Sequence, residues 1–140
     1  MSKKILFLIL FSFPFFVQGQ KLVDEIKKKH FGVYRGEIPA FSMDTGKDLV
    51  DVTAVEIIVE VEAEKVVLHI GNQHLVGAYT VLFKGDDYYV LDVTLNRQLQ
   101  HERLVIHQRG KMMTREGIYP QPNAKLKKLS KKEIKSLHLN

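Results

Sequence analysis

The stretch VEIIVEVEAEKVVLHIGNQHL, which spans Val55–Leu75, decides the fold. Its apolar and polar residues alternate, as they do in β-strands that bury one face. If Ala63-Glu64 forms a two-residue turn, Glu62 lies opposite Lys65 and apolar residues of the two flanking strands face each other. The predicted apolar pairs are Val61–Val66, Val59–Leu68 and Ile57–Ile70. This register is expected to be fixed, because a slip of one residue would turn these side chains into water.

Three further turns extend the pattern along the chain. Gly71-Asn72 suits a type II′ turn, because glycine tolerates the positive φ of the first central position. Gly85-Asp86-Asp87 is expected to form a three-residue loop, and Arg109-Gly110 a later turn that pairs Ile106 with Met113 and Leu104 with Arg115. The predicted inner face comprises Val55, Ile57, Val59, Val61, Leu68, Ile70, Leu75, Val81 and Leu91.

Seven or eight antiparallel strands in a meander predict an all-β fold. Closure into a small up-and-down, lipocalin-like barrel removes the exposed sheet edges, and a two-sheet sandwich is the alternative. Short helices are expected at residues 21–31 and from Ser130 to about Leu137, the second one begun by a capping box. Pro120 and Pro122 are expected to end strand pairing, because proline has no backbone donor.

The first 19 residues are typical of an export signal. Lys3 and Lys4 precede an apolar run, Ile5–Val17, and the predicted mature chain starts at Gln20. An uncleaved membrane anchor is the alternative. Residues 20–140 would then form one exported domain, periplasmic or extracellular, with a basic tail at 120–140. The chain has no cysteine, so its stability must come from a core and backbone pairing and not from disulfides.

A family resemblance comes from Phe31–Pro39, FGVYRGEIP. This segment resembles the G-x-Y-x-G-x-x-P opening of small lipocalin-like barrels of bacterial envelopes, among them the N-terminal domain of the copper-homeostasis lipoprotein NlpE. Gly117–Pro120 is similar to the end of such barrels. The resemblance implies the fold and an envelope setting. The cysteines of that lipoprotein are missing, so copper sensing, redox signalling and lipid anchoring are not implied.

The same resemblance implies that an aromatic residue of the first strand packs against an arginine of the last strand. The matching residues are Tyr34 and Arg115, and the expected distance between ring and guanidinium is within about 6 Å. The predicted register also turns Arg115 inward. The alternative is that Arg115 extends to water at the barrel mouth.

Two candidate sites involve the barrel wall and its interior. Tyr79, Phe83, Tyr89, Leu91 and Met113 could line an apolar cavity, or they could simply fill the core. The Gly71-Asn72 turn places His69 opposite His74 on one face, where two imidazoles could share a metal or stand exposed without a ligand. No cofactor is otherwise expected.

The lysine-rich tail is the third candidate site. Its lysines are Lys125, Lys127, Lys128, Lys131, Lys132 and Lys135. They could dock to acidic lipid headgroups or polyanionic glycans, or form a solvated end. Nucleic acid is disfavoured as a partner by export and by the near-neutral body of the domain.

Catalytic motifs are missing from the sequence: it has no G-x-S-x-G, no H-E-x-x-H and no Walker loop. The sequence therefore favours a non-enzymatic exported barrel that binds a small apolar ligand or an envelope partner. The alternative is a structural, surface-associated module that docks through its lysines.

Overall fold

The computed structural model describes residues 26–96 and 101–137. It contains a 3₁₀ turn, ten β-strands and one short α-helix. The strands are β1 (Gly32–Ile38), β2 (Phe41–Asp44), β3 (Leu49–Val52), β4 (Val55–Val61), β5 (Lys65–Ile70), β6 (Gln73–Lys84), β7 (Tyr88–Leu95), β8 (Glu102–His107), β9 (Met112–Glu116) and β10 (Ala124–Lys128). The 3₁₀ turn is Lys28–His30, and the helix α1 is Lys131–Ser136.

Eight of these strands form a closed antiparallel barrel in the order β1-β10-β9-β8-β7-β6-β5-β4. The pairing of β1 with β4 completes the circle. The predicted all-β, lipocalin-like barrel is thus confirmed. Strands β2 and β3 form a separate hairpin between β1 and β4, outside the barrel.

The registers read from the alternating sequence are confirmed. Val59 pairs with Leu68 across β4 and β5, and Leu68 pairs with Leu75 across β5 and β6. Ile106 pairs with Met113 across β8 and β9, as the Arg109-Gly110 turn predicts. These pairs are fixed because a slip of one residue would turn the apolar side chains outward into water.

Two expectations about the strands are wrong. Strand pairing does not end at Pro120 and Pro122, because the chain returns as β10, which fills the gap between β9 and β1. The prolines lie in the link before β10, where no ladder bond is needed. The β6–β7 register also shifts between Val81 and Phe83. Val81 still pairs with Leu91, but the bulge turns Phe83 away from the interior.

The core lies inside the barrel and is made by the inward faces of its strands. Tyr89, Leu91, Leu104, Ile106 and Met113 have no exposed surface. The predicted inner face is buried at Ile57, Val59, Val61, Leu68, Leu75 and Leu91, and only partly buried at Val55, Ile70 and Val81.

The chain ends differ from the expected pair of helices. The described part of the predicted N-terminal helix is only the 3₁₀ turn Lys28–His30, whereas the capping box of Ser130 and Glu133 does begin α1. The predicted export signal and the start at Gln20 lie outside the described residues. In the ranges 26–96 and 101–137, no helix has the length and apolar character of a membrane span.

The barrel has two ends, which we name by a buried residue in each. The His30 end carries the 3₁₀ turn and the turns at 62–64, 85–87 and 108–111. The Arg115 end carries the turn at 71–72, the β2–β3 hairpin and the link at 117–123. Arg115 is buried near this second end and His30 near the first.

Candidate functional site: a basic cavity at the His30 end

The His30 end is held together by backbone and side-chain hydrogen bonds. The Tyr34 hydroxyl on β1 donates to the His30 carbonyl at 2.8 Å and so fixes the 3₁₀ turn over the barrel. At the end of β10, the Lys128 amide donates to the Lys111 carbonyl at 2.8 Å. The Lys128 ammonium donates to the Lys29 carbonyl at 2.6 Å. These bonds join the first strand, the last strand and the β8–β9 turn.

A cavity of about 260 Å³ lies between these elements. Its lining residues are Lys29, His30, Tyr34, His107, Gln108, Gly110, Lys111 and Lys128. Three are lysines and two are histidines, and none is a carboxylate, a serine or a cysteine. Pockets for drug-sized ligands measure about 300–1,000 Å³. This cavity therefore suits a smaller molecule, and its charge suits an anion.

The cationic side chains of the cavity lie close enough together to lower the pKa of His30 and of Lys128. The pKa of His30 is lowered from its ordinary value, chiefly because burial disfavours the charged form and further by Lys29, Lys128 and Lys27. The pKa of Lys128 is lowered by burial and then by Lys111. A bound anion would oppose both effects. The cavity thus concentrates positive charge without an acidic partner in its lining.

Two buried polar atoms near the His30 end lack a hydrogen-bond partner among residues 26–96 and 101–137. They are Nε2 of His30, whose residue is 5% exposed, and the hydroxyl of Tyr89, which is fully buried. The two rings meet edge to face with centroids 5.4 Å apart. Buried polar groups are normally satisfied, so an unpaired Nε2 on a residue that lines the cavity is consistent with a ligand site.

The residues predicted to line an apolar cavity do not border this one. Tyr89, Leu91 and Met113 belong to the packed core. Tyr79 is partly buried and its hydroxyl donates to the carbonyls of Glu62 and Ala63, both at 2.9 Å. Phe83 is 48% exposed on the outside. Tyr89, Leu91 and Met113 thus pack the barrel interior, Tyr79 packs against them, and Phe83 is not part of the core.

The predicted contact between Tyr34 and Arg115 is wrong, although both side chains are buried as expected. Tyr34 pairs with Lys128 at one end of β10, and Arg115 pairs with Ala124 at the other. Four residues of strand rise about 13 Å, which separates the two side chains along the barrel. The basic residue beside Tyr34 in the last strand is Lys128, because the last strand is β10 and not β9.

His69 and His74 are directly opposite each other, as predicted. Their rings stack with centroids 4.8 Å apart and an interplanar angle of 14°. Nearly parallel rings direct their in-plane lone pairs side by side, so these do not converge on one metal ion. Glu60 lies 3.6 Å from His69 Nε2. Within the described residues, no group of three metal-ligating side chains is found.

The lysine-rich tail is divided by the fold. Lys125 and Lys127 face outward from β10, and Lys131, Lys132 and Lys135 are exposed on or beside α1. Lys128 alone of the six turns into the cavity. The site was missed from sequence because its residues come from three segments that are distant along the chain, 29–34, 107–111 and 128. The alternation of β10, in which Ala124, Leu126 and Lys128 share a face, is the signal that could have placed Lys128.

Comparison with known family models, curated proteins and solved structures found no match for this chain.

Proposed function

We propose that this chain is a non-enzymatic, exported binding barrel that holds a small anionic ligand in the cavity at the His30 end. The observation that carries this proposal is the cavity lining: in the part of the chain that the structure describes, it combines three lysines with His30, whose buried Nε2 has no hydrogen-bond partner there, and it includes no carboxylate. Sulfate, phosphate and carboxylate groups are bound in proteins by such ammonium and imidazole donors. The resemblance to envelope barrels supports a periplasmic or extracellular setting.

The packed core argues against the apolar ligand favoured by the sequence. A ligand inside the barrel would have to displace side chains that have no exposed surface, such as Leu68 and Leu104. An anion at the His30 end requires no such rearrangement. Binding rather than catalysis is also the simpler use of the cavity, because its lining offers no serine or cysteine nucleophile and no carboxylate base.

The proposal is tested by calorimetric titration with sulfate and with a small phosphate ester. Lys128→Met removes a cavity cation, and Lys125→Met removes an outward cation from the same strand. We expect Lys128→Met to weaken binding about tenfold or more, because a hydrogen bond to a charged group contributes about 1.5–3 kcal/mol. Lys125→Met should bind as the original protein does. Equal affinities for both variants would overturn the proposal.

A loss of folding could imitate a loss of binding, because the Lys128 ammonium also bonds the Lys29 carbonyl. Lys111→Met provides a second cavity variant without that bond. Thermal unfolding of each variant shows whether the barrel is intact. If Lys111→Met unfolds normally and still binds both anions with full affinity, the site is not the cavity.

The exposed lysines favour a second function, docking to an acidic lipid or glycan surface. Lys125, Lys127, Lys131, Lys132 and Lys135 all point into solvent. Such docking should weaken as salt shortens the screening length from about 10 Å at 0.1 M to about 3 Å at 1 M. Neutralising the three lysines of α1 with glutamine should then release the protein from a heparin column at lower salt. Unchanged elution would contradict this function.

A further inference from the structure

The tip of the β6–β7 hairpin exposes three large apolar side chains next to one another. Leu82 is 55% exposed, Phe83 48% and Tyr88 41%. The rings of Phe83 and Tyr88 are in contact, with centroids 5.2 Å apart. The bulge after Val81 turns Phe83 outward, where it adds nothing to the core. Neighbouring exposed apolar side chains of this size mark an interaction surface.

The hairpin tip is attached to the basic end of the barrel. The Gln108 amide donates to the Asp87 carbonyl at 2.8 Å, and the Gln108 side chain donates to the Gly85 carbonyl. Gly85 also donates to the Tyr88 carbonyl at 2.9 Å, which closes the tip. Since Gln108 lines the cavity, the apolar tip and the cavity lie side by side.

The charges around the tip are mostly positive. Lys65, which begins β5 at the His30 end, pairs with Glu62 at 3.5 Å. Seven further cations of this end are Lys27, Lys28, Lys29, Lys84, Arg109, Lys111 and Lys128, and the acids of its turns are Asp86, Asp87, Glu62 and Glu64. In the part of the chain that the structure describes, no ion pair joins any of these seven cations to a carboxylate. Their charge is therefore available to an external anion.

We propose that the His30 end docks on an anionic lipid surface, with Leu82, Phe83 and Tyr88 inserted among the acyl chains. Aromatic and aliphatic side chains favour the membrane interface, and lysines beside them favour acidic headgroups. A water-soluble polyanion would use the cations but gives no role to the three apolar side chains. This docking goes beyond the small-anion site and does not require the cavity to be filled.

Tryptophan fluorescence tests the insertion directly, because the chain has no tryptophan of its own. Phe83→Trp places a reporter in the tip, and Leu49→Trp places one on the β2–β3 hairpin, where Leu49 is 71% exposed. The protein should start at Gln20, since the apolar run before it would itself bind lipid, and all ten strands follow Gln20. Vesicles of phosphatidylcholine with about one third phosphatidylglycerol are the probe.

We expect a blue shift of emission for Phe83→Trp with the anionic vesicles and little shift with phosphatidylcholine alone. Leu49→Trp should not shift with either. No shift of Phe83→Trp, or an equal shift of Leu49→Trp, would overturn the proposed orientation. Trp emission reports the environment of one side chain, so this outcome does not depend on how tightly the anion cavity binds.

Sedimentation with the same vesicles tests the energetic role of the tip. The double variant Leu82→Ser, Phe83→Ser should bind about tenfold more weakly or worse, which is about 1.4 kcal/mol. Leu49→Ser, Val50→Ser is the matched control and should bind normally. If the tip variant keeps its sulfate affinity and thermal stability, the loss belongs to docking alone. Full vesicle binding by a folded tip variant contradicts the proposal. This holds whether the binding then comes from the α1 lysines or the apolar tip serves an acidic protein partner.

Discussion

The guanidinium of Arg115 donates two parallel hydrogen bonds to the carboxylate of Glu102 inside the barrel. Nε and Nη2 donate to the two carboxylate oxygens at 2.9 and 2.8 Å, and Nη1 donates to Gln121 at 2.9 Å. The two charged side chains are only 4% and 2% exposed. Arginine cannot lose its charge, so its burial requires this carboxylate. The pair fixes how β8, β9 and the following link meet at the Arg115 end.

Removing one partner of this pair should be costly. Glu102→Gln leaves the Arg115 charge buried and unpaired, and we expect it to lower the free energy of unfolding by about 3–5 kcal/mol. Glu56→Gln is the control, because Nε and Nη2 of Arg35 also donate to Glu56, both to one carboxylate oxygen, but this pair is about half exposed. It should cost about 0–1 kcal/mol. Urea unfolding of both variants checks the contrast, and similar costs would contradict the structural role.

The facing of β4 gives a second prediction. Val59 is fully buried between Tyr34 and Leu68, so Val59→Asp places an unpaired charge in the core. We expect it to destabilise the barrel by several kcal/mol. Thr94→Asp, on an exposed position of β7, should have little effect. Both variants are compared by thermal unfolding. If their melting temperatures fall equally, or if neither falls, the inner face is assigned wrongly.

Burial of His30 predicts a loss of stability in mild acid. Its pKa in the folded barrel is lowered from the ordinary 6.5, so the unfolded chain binds the proton more readily. The contribution of His30 to the free energy of unfolding is complete above about pH 6.5 and is lost as the pH falls below that value. His30→Gln should remove this part of the loss of stability in acid. Unfolding of the original protein and of His30→Gln at a series of pH values measures the difference, and the same acid dependence in both would contradict the prediction.

Added sulfate offers a check on the same group. A bound anion would raise the pKa of His30 toward its ordinary value, because it compensates Lys29 and Lys128. The acid-dependent loss of stability should therefore become smaller in sulfate than in chloride of equal ionic strength. An identical loss of stability in acid in both salts would argue that the anion does not reach His30.

Export gives a prediction from sequence alone. Lys3 and Lys4 followed by the apolar run Ile5–Val17 predict an export signal, and Val17-Gln18-Gly19 stands at the positions that a signal peptidase reads. Protein recovered from outside the cytoplasm should begin at Gln20 by N-terminal sequencing. A Met1 or Ser2 terminus on that material would refute cleavage.

Much of the barrel wall could be predicted because strand pairing leaves a period of two in the sequence. Where one face is apolar throughout, as in Val55–Val61, the register follows from the turn. Two features broke this rule. The bulge at Leu82 inserts a residue that alternation cannot detect, and β10 alternates lysine with small or apolar residues, so its charge suggested a tail.

The candidate site was harder to predict because no local pattern encodes it. Lys29, Tyr34, Lys111 and Lys128 come together only when the last strand closes on the first. The buried Glu102 was missed for the same reason: it begins β8 as a polar residue, and its role depends on Arg115 across the sheet. The sequence indicated that Arg115 turns inward, but it did not indicate which carboxylate would pair with its guanidinium.

The central claim, an anion bound at the His30 end, is tested most directly by NMR of the histidine side chains during a sulfate titration. The chain has six histidines, and His30 and His107 line the cavity whereas His69 and His74 stack on the outer wall. The account predicts saturable shifts of the His30 and His107 ring signals, while the signals of the stacked pair stay unchanged. A His30 signal that does not move, or shifts of equal size at all four rings, would contradict it.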